Sequence, residues 1–599
     1  MSMSTGGEGR PRRRIRIAVS AVAAALAAAL GAALLTSTAD AATPQPPTGV
    51  TPGPTTVTQD ELLDRLSGAL AEDDIAGQGN RESPRTGTGG SPSGGKEAKI
   101  IGGTTTTITS APWMAQLWYF DDRGTTGTAD DIGFFCGGAV VSPTKILTAA
   151  HCVKGYNWYL NGVVVTGTAK MPTEAGTDGT VTLPLRQWQH PSYNAGTLDN
   201  DIAVLTLDVP VKATPIRMTT AGDSASYAAR TKAKVYGWGR TRSTSDALSP
   251  TLRTATLPLQ SDSTCAGAWG REFVKGHMVC AGDPSTGSDS TTVSACNGDS
   301  GGPLVVNNRI IGVVSWGVED CVYRGKYSVF AKVTSYVGAV YPRIDDSNIS
   351  RDPRADMWVR KSATKLGYSK ASKGTTFDAR EEWGNWDGVN KVLQTDLNRD
   401  GFQDLVYRRS SDGDIFWSHF VLTTGKWVTT KLADNWKTRT QLIVPGDVTG
   451  DYLPDLLSVD SAGVLWIYPG KGNGTFAARV KVGSGWNQYN VVLGHGDFTG
   501  DGRTDLIARA KTGSAVYLYK GTGKSGSAAF APRIKVRTWA GFDAFAAVGD
   551  ITGDGKADLL ARTPAGKLSL YPGTGKATSE IFATAITIGT DFKQYDIFG

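Results

Sequence analysis

Four acidic segments recur between residues 396 and 558 at intervals of 51, 50 and 53 residues, and no other feature restricts the fold as strongly. They are Asp396-Leu-Asn398-Arg-Asp400-Gly-Phe-Gln-Asp404, Asp447-Val-Thr449-Gly-Asp451-Tyr-Leu-Pro-Asp455, Asp497-Phe-Thr499-Gly-Asp501-Gly-Arg-Thr-Asp505 and Asp550-Ile-Thr552-Gly-Asp554-Gly-Lys-Ala-Asp558. A degenerate copy, Asn348-Ile-Ser350-Arg-Asp352-Pro-Arg-Ala-Asp356, lies 48 residues before the first of these. A fixed period of this size means that one supersecondary unit is repeated and that neighbouring copies bury one another's apolar faces. Each segment leads into an apolar strand and, in most copies, an aromatic-Gly hairpin such as Leu465-Trp466-Ile467-Tyr468-Pro469-Gly470 or Leu568-Ser569-Leu570-Tyr571-Pro572-Gly573. The run Lys593-Gln594-Tyr595-Asp596-Ile597-Phe598-Gly599 resembles Trp486-Asn487-Gln488-Tyr489-Asn490-Val491-Val492, a strand that leads into an acidic loop, yet no loop follows it. The copy at Asn348 has a loop and no leading strand. Together they complete one unit, which predicts a ring closed by its last strand, with no sheet edge exposed.

Oxygen-bearing side chains at positions 1, 3, 5 and 9 of a tight loop face one side, as in sites that hold hard cations such as calcium. The expected ligands are Asp396, Asn398, Asp400, Asp404, Asp447, Thr449, Asp451, Asp455, Asp497, Thr499, Asp501, Asp505, Asp550, Thr552, Asp554 and Asp558. Metal-free solvated turns are the alternative, and the repeated spacing speaks against them. The copy at Asn348 is a poor candidate, because Asn348 and Pro353 replace the usual Asp and Gly. These loops resemble FG-GAP/VCBS-type repeats of integrin-like β-propellers and of many secreted bacterial proteins. The resemblance covers residues 345–599 and implies a β-propeller, which the five copies and the register of the two ends make five-bladed. Trp383, Trp386, Trp436, Trp486 and Trp539 recur near the starts of units, where blade packing is expected and ligand stacking is the alternative.

A second constellation carries chemistry. Ala295-Cys296-Asn297-Gly298-Asp299-Ser300-Gly301-Gly302-Pro303 sets one serine among glycines. A serine hydroxyl needs a base to become nucleophilic. His151 lies in Leu147-Thr148-Ala149-Ala150-His151-Cys152, and Asp201 precedes the apolar run Ile202-Ala203-Val204-Leu205. Taken singly, a Gly-x-Ser-Gly is usually a turn and a lone histidine a core residue; only five histidines occur in 599 residues, so finding one in this context is telling. The order His, Asp, Ser and the motifs around these residues resemble the trypsin/chymotrypsin family of serine proteases over residues 100 to about 344. The resemblance implies two six-stranded β-barrels and assigns Ser300 as nucleophile, His151 as base and then acid, Asp201 as the residue orienting the imidazole, and the Gly298 and Ser300 N–H groups as oxyanion hole. Ser315 matches the family residue that hydrogen-bonds the aspartate. A fold kept without turnover is the alternative.

Lys99-Ile100-Ile101-Gly102-Gly103 resembles the family's activation site. Cleavage after Lys99 by an activating protease would free an α-amino group to pair with Asp299. Upstream, Arg10, Arg12, Arg13, Arg14 and Arg16 precede the apolar run from Ile17 to Leu35 and Ala39-Asp40-Ala41, the pattern of a signal peptide over 1–41. An uncleaved membrane anchor is the alternative, and the adjacent arginines also permit a twin-arginine route. Residues 42–99, rich in Thr, Pro, Gly and Ser with one amphipathic helix around Asp60 to Leu70, read as a propeptide. The chain is expected to be secreted and extracellular.

All six cysteines fall between residues 136 and 321, and an even number in an exported chain suggests disulfides, with 15 connectivities open. Zinc is disfavoured because no Cys-x-x-Cys occurs. The family resemblance implies Cys136 with Cys152, Cys265 with Cys280, and Cys296 with Cys321. It also places Ser294 at the base of the specificity pocket and Gly317 and Ser328 on its walls. Trypsin-like enzymes carry an aspartate at that base, so a neutral Ser294 predicts an apolar P1 residue, with Glu319 and Asp320 near the rim as a competing attraction for basic residues.

The 74 glycines fit an all-β, turn-rich fold, and a net charge of +6 without a basic stripe gives no reason to expect nucleic acid as a partner. The expected arrangement is a signal peptide (1–41), propeptide (42–99), protease (100–344) and propeller (345–599). It implies a monomeric endopeptidase acting on protein or peptide substrates, without a membrane partner once the signal is removed. Its propeller binds a glycan or protein surface or simply stabilises the enzyme; a secreted adhesin with an inactive protease domain is the competing reading.

Overall fold

The computed structural model describes Thr55 and residues 57–71, 100–125, 130–173 and 175–599. The segment expected as a signal peptide, most of the expected propeptide and Lys99 lie outside the described residues. The helix expected near Asp60 is α1, Gln59–Ala71. Thr58 Oγ1 caps it by accepting from Glu61 N at 3.2 Å, and Leu62, Leu66 and Ala69 form its buried stripe. Burial of each leucine contributes about 1.5–3 kcal/mol.

The first half of the trypsin-like region is a sheet of β1 (Met114–Asp121), β2 (Ile132–Ser142), β3 (Lys145–Thr148), β4 (Gly162–Thr166), β5 (Thr180–Thr182), β6 (Pro184–Gln189) and β7 (Ala203–Leu207), in the order β5-β4-β1-β2-β3-β7-β6. The second contains β8 (Lys232–Gly237), β9 (Arg253–Pro258), β10 (Met278–Ala281), β11 (Pro303–Val306), β12 (Arg309–Trp316) and β13 (Ser328–Lys332), in the order β9-β8-β11-β12-β13-β10. Two-residue strands, Thr104–Thr105 on β9 and Arg217–Met218 on β12, extend it. The expected six strands per half are therefore seven and eight, because short segments add to them, Thr180–Thr182 and Thr104–Thr105 at sheet edges and Arg217–Met218 alongside the start of β12. Three further helices are α2 (Trp158–Asn161), α3 (Asp262–Trp269) and α4 (Val337–Ile344).

Residues 357–598 form five four-stranded blades. The C-terminal strand Tyr595–Phe598 pairs antiparallel with Met357–Lys361, the first strand of the first blade. Closure by the last strand is thus as expected, and Arg360 reinforces it through two 2.9 Å bonds to Asp596. The recurrent tryptophans are buried between blades: Trp436, Trp486 and Trp539 lie 4.9, 4.6 and 5.0 Å from Tyr468, Tyr519 and Tyr571.

Each acidic loop joins the first and second strands of a blade, so all the loops emerge on one end of the propeller. That end receives α4. Gly338 approaches the Gly500 carbonyl so closely that a Cβ there would collide with it. Tyr341 Oη lies 3.0 Å from Thr504 Oγ1, and Arg343 Nη2 donates to Gly553 O at 3.1 Å. Arg399, inside the first good loop, donates to Asp345 at 2.7 Å. Beside it Asp346 accepts from Arg186 at 3.0 and 3.1 Å and from Lys145, whose Nζ also donates to Thr206 Oγ1 at 3.0 Å. Burial alone would raise Asp346; Arg186 and Lys145 outweigh it and hold the carboxyl down at about 2. Burial in turn brings Lys145 down to about 8.

Candidate active site

Antiparallel pairing brings the acid and the imidazole together. β3 ends three residues before His151, β7 begins two residues after Asp201, and their register sets Thr148 opposite Ala203. His151 sits in the single turn Ala150–Cys152, anchored by the Cys136–Cys152 disulfide to β2. Its Nδ1 lies 2.7 Å from Asp201 Oδ2, its main-chain N–H donates to Asp201 Oδ1 at 2.8 Å, and Ser315 Oγ donates to Oδ2 at 2.6 Å. Asp201 is buried and fully occupied as an acceptor, an arrangement that fixes the Nδ1–H tautomer and leaves Nε2 as the basic atom. That Nε2 is buried with no hydrogen-bond partner, Ser300 Oγ included. Bonds of this kind often close only with substrate in place.

Ser300 stands on the loop that enters β11. Gly301 has φ +80°, and a Cβ there would collide with Thr148 Oγ1 and Gly137 O, so only glycine lets this loop reach the first half-barrel. Gly137 N donates to Ser300 O at 2.7 Å, and Gly301 N to Val314 O at 2.9 Å. Among the described residues, neither Gly298 N–H nor Ser300 N–H has a protein acceptor. Two unpaired N–H groups flanking a serine can receive an oxyanion. Gly137 was not singled out in the sequence, although the glycine pair after Cys136 is a signal for a close approach.

Residues 100–340 match the family model for trypsin, and residues 447–508 and 497–561 match that for an FG-GAP-like repeat. A trypsin of Saccharopolyspora erythraea is 39% identical over 246 residues, 41% of this chain and 98% of that protein. Human kallikrein-14 is 35% identical, over 40% of this chain and 82% of its own length, and pig trypsin 31% identical, over 41% and 96%. This chain belongs to the trypsin family of serine proteases. The trypsin-like unit is all-β with two half-barrels, and an FG-GAP-like five-bladed propeller follows it.

The three disulfides of the trypsin-like unit are those the resemblance implied: Cys136–Cys152, Cys265–Cys280 and Cys296–Cys321. Cys136, His151 and Cys152 also lie close enough together to suggest a metal centre, but both sulfurs are spent in the disulfide. At the expected specificity pocket, Ser294 and Ser328 are buried. Ser294 Oγ donates to Cys321 O at 2.7 Å, and Ser328 Oγ accepts from Ala295 N at 3.1 Å. Gly317 faces open space. Asp320 accepts from Val322 N at 3.0 Å and Tyr323 N at 2.9 Å, so it serves the local turn.

Ile100 and Ile101 are fully buried, Ile100 in the core of the second half-barrel and Ile101 against Cys296, Cys321 and Val322. Asp299 is wholly buried. It accepts from Gly239 N at 2.8 Å and Cys296 N at 3.0 Å, and among the described residues it has no ion pair. Burial pushes its carboxyl up to about 7, against the opposing pull of these two N–H groups and of Arg253.

In the propeller loops, the aspartates at positions 1 and 9 accept backbone N–H groups. Asp497 takes Thr499 N at 2.9 Å and Gly500 N at 2.7 Å; Asp505 takes Phe498 N at 3.1 Å and, across the hairpin, Gly521 N at 2.9 Å. Asp455 and Asp558 repeat this with Gly470 and Gly573, at 3.0 and 2.8 Å. Asp404 Oδ1, Asp501 Oδ1 and Thr449 Oγ1 are buried without a partner. Burial raises Asp455 and Asp558 to about 7 and Asp447 and Asp497 to about 6, with a neighbouring aspartate adding to each. Oxygen donors, mutual repulsion and orphaned carboxylate oxygens suit a hard cation. Among the described residues, however, no three of these carboxylates converge at metal-ligand spacing.

Proposed function

We propose that the chain is a secreted serine endopeptidase that cleaves peptide bonds through Ser300, His151 and Asp201 and is activated by cleavage after Lys99. The observation that carries the reading is the bonding of His151: Nδ1 is locked to a buried carboxylate while Nε2 is left without a hydrogen-bond partner. His151 Nε2 takes the proton as Ser300 Oγ attacks the carbonyl carbon, then delivers it to the leaving amine; water repeats the cycle on the acyl-enzyme. The charge that develops on the carbonyl oxygen falls to Gly298 N–H and Ser300 N–H, each such donor being worth about 3–4 kcal/mol of barrier. Activation is supported by Asp299, a buried carboxylate with no ion pair among the described residues, which accepts from Cys296 N, the residue against which Ile101 packs, next to the Ile100 whose α-amine cleavage would free. A neutral pocket base, its hydroxyls turned to the backbone, supports an apolar P1 residue.

The test is mass spectrometry after treatment with a serine-reactive phosphonate, before and after cleavage at Lys99, with Ser300→Ala as control. Labelling only the cleaved chain is expected; no labelling in either state would favour the adhesin reading. A peptide library on the labelled form should prefer Phe, Tyr or Leu at P1, and an Arg/Lys preference would overturn the pocket assignment.

In the propeller, calcium would supply counter-charge to loops such as Asp497–Asp505, whose carboxylates would have to draw together around it, at the end that grips α4. Millimolar calcium should then raise the melting temperature of the propeller, by about 2.7 kcal/mol of stabilisation at a hundredfold excess over Kd, and chelator should remove the gain. Equal melting with calcium and with chelator would reduce the loops to turns.

A further inference from the structure

The chain ahead of Ile100 makes a built contact that the proposed reaction does not use. α1 lies across β1, β2, β4 and β5 of the first half-barrel, with Leu66 wholly buried and Phe120 directly beneath Gly68. Polar ties frame that apolar seat. Gln59 Nε2 donates to Val181 O at 3.0 Å, and Arg65 Nη1 donates to Tyr159 O at 2.9 Å while its guanidinium is held by Glu61 one turn earlier. Ahead of the helix, Thr55 N and Oγ1 donate to Asp208 Oδ2 at 2.9 and 3.0 Å. Asp208 is buried, and its other oxygen accepts from Arg351, within the degenerate propeller loop, at 3.0 Å. One carboxylate therefore joins the upstream segment, the trypsin-like unit and the entry to the propeller.

The contact also leads towards the reacting groups. Arg65 holds the carbonyl of Tyr159 in α2, and the neighbouring Trp158 donates its indole N–H to Cys152 O at 2.9 Å, in the turn that carries His151. No cysteine precedes Cys136, so nothing covalent would keep this segment in place once the chain is cut.

We propose that Thr55–Ala71 stays seated after cleavage at Lys99, as a non-covalent light chain of the mature enzyme that braces the His151 turn through α2. This rests on the activation reading above. Removing the segment would uncover Phe120 and the apolar surface under Leu62 and Leu66, and leave Asp208 with only its Arg351 partner, so the docked state is favoured over release.

The test uses the full chain with Ser300→Ala, which prevents self-digestion, and a foreign protease site replacing residues 86–95. After the cut, native size-exclusion chromatography and intact mass should find the N-terminal fragment with the body. The Leu62→Asp, Leu66→Asp form should shed it. If that form does not fold, Thr55→Ala with Arg65→Ala should shed it measurably faster than the parent. A parent fragment that elutes alone, or fragments retained equally in all forms, would overturn the proposal. In the Ser300 enzyme cleaved after Lys99, shedding should lower kcat about tenfold with KM little changed, and a synthetic 55–71 peptide should restore it; an unchanged kcat would reject the bracing role. Because the cut is at a foreign site, retention is read whether or not cleavage after Lys99 activates. That cut leaves the Lys99–Ile100 bond intact, so activation is read separately, on the Ser300 chain cleaved after Lys99; retention there without a gain in activity would remove the activation scheme and leave the contact standing.

Discussion

The trypsin-like unit and the propeller face the same difficulty, holding many short strands in one arrangement, and meet it by different means. The first places all six of its cysteines in three cross-links, one of which pins the His151 turn and another the Ser300 loop. The second has none and relies on closure, its last strand completing its first blade. Cross-links act locally, on the turn that carries His151 and the loop that carries Ser300. Closure is a single global constraint on which every blade depends. The contrast teaches where each unit is vulnerable.

The largest effect should come from breaking the ring. Deleting residues 590–599 removes the Tyr595–Phe598 strand, the Arg360–Asp596 pair, and the cover over Trp358 and Val392. The propeller is expected to lose cooperative unfolding altogether, since both freed edges also expose apolar faces. Calorimetry on the truncated chain checks this; a propeller transition at the parent temperature would show that the seam is dispensable and that the comparison is false.

Much of this architecture was legible in the sequence because its signals are local. An Asp loop needs only its own nine residues, and the contexts of His151, Asp201 and Ser300 are each contained within a few positions. The docking of α4 was not legible. Asp345-Asp346 looks like any exposed acidic pair, and only the fold brings Arg399, Lys145 and Arg186 to it from separate elements. Nor could spacing alone separate a calcium ligand from a turn acceptor, since Asp455 and Asp558 use the same oxygens to hold Gly470 and Gly573. The extra strands of the half-barrels are two or three residues long, too short for periodicity to register.

The junction between the units gives the next effect in size. Asp346→Ala would leave Lys145 and Arg186 buried without their anion, and breaking a buried pair in this way costs about 3–5 kcal/mol. The loss should appear in both units, because Asp346 lies between the α4 grip on the loops and the first half-barrel. Faster proteolysis near residue 346, together with a lowered melting temperature, is the expected result. A change confined to the propeller transition would mean that the two units are not coupled through this site.

The smallest effect sharpens the contrast between two buried carboxylates, Asp346 with two cations and Asp299 with none. Asp299 is raised to about 7 in the uncleaved chain, against an ordinary value near 4 when unfolded. Between those values the native state keeps a proton that the unfolded state has released, so the unfolded state binds fewer protons and stability falls as pH rises from about 4 to about 7. One such group gives a slope of at most about 1.4 kcal/mol per pH unit. Asp299→Asn, compared in the Ser300→Ala background, should flatten the profile by that amount, measured by denaturant unfolding at several pH values. In the cleaved chain the Ile100 α-amine would supply the missing cation and lower the Asp299 pKa, so the parent should lose the slope while the variant changes little. If cleavage leaves the parent's slope intact, no charge has reached Asp299, and the activation scheme fails at the step that distinguishes it from simple trimming.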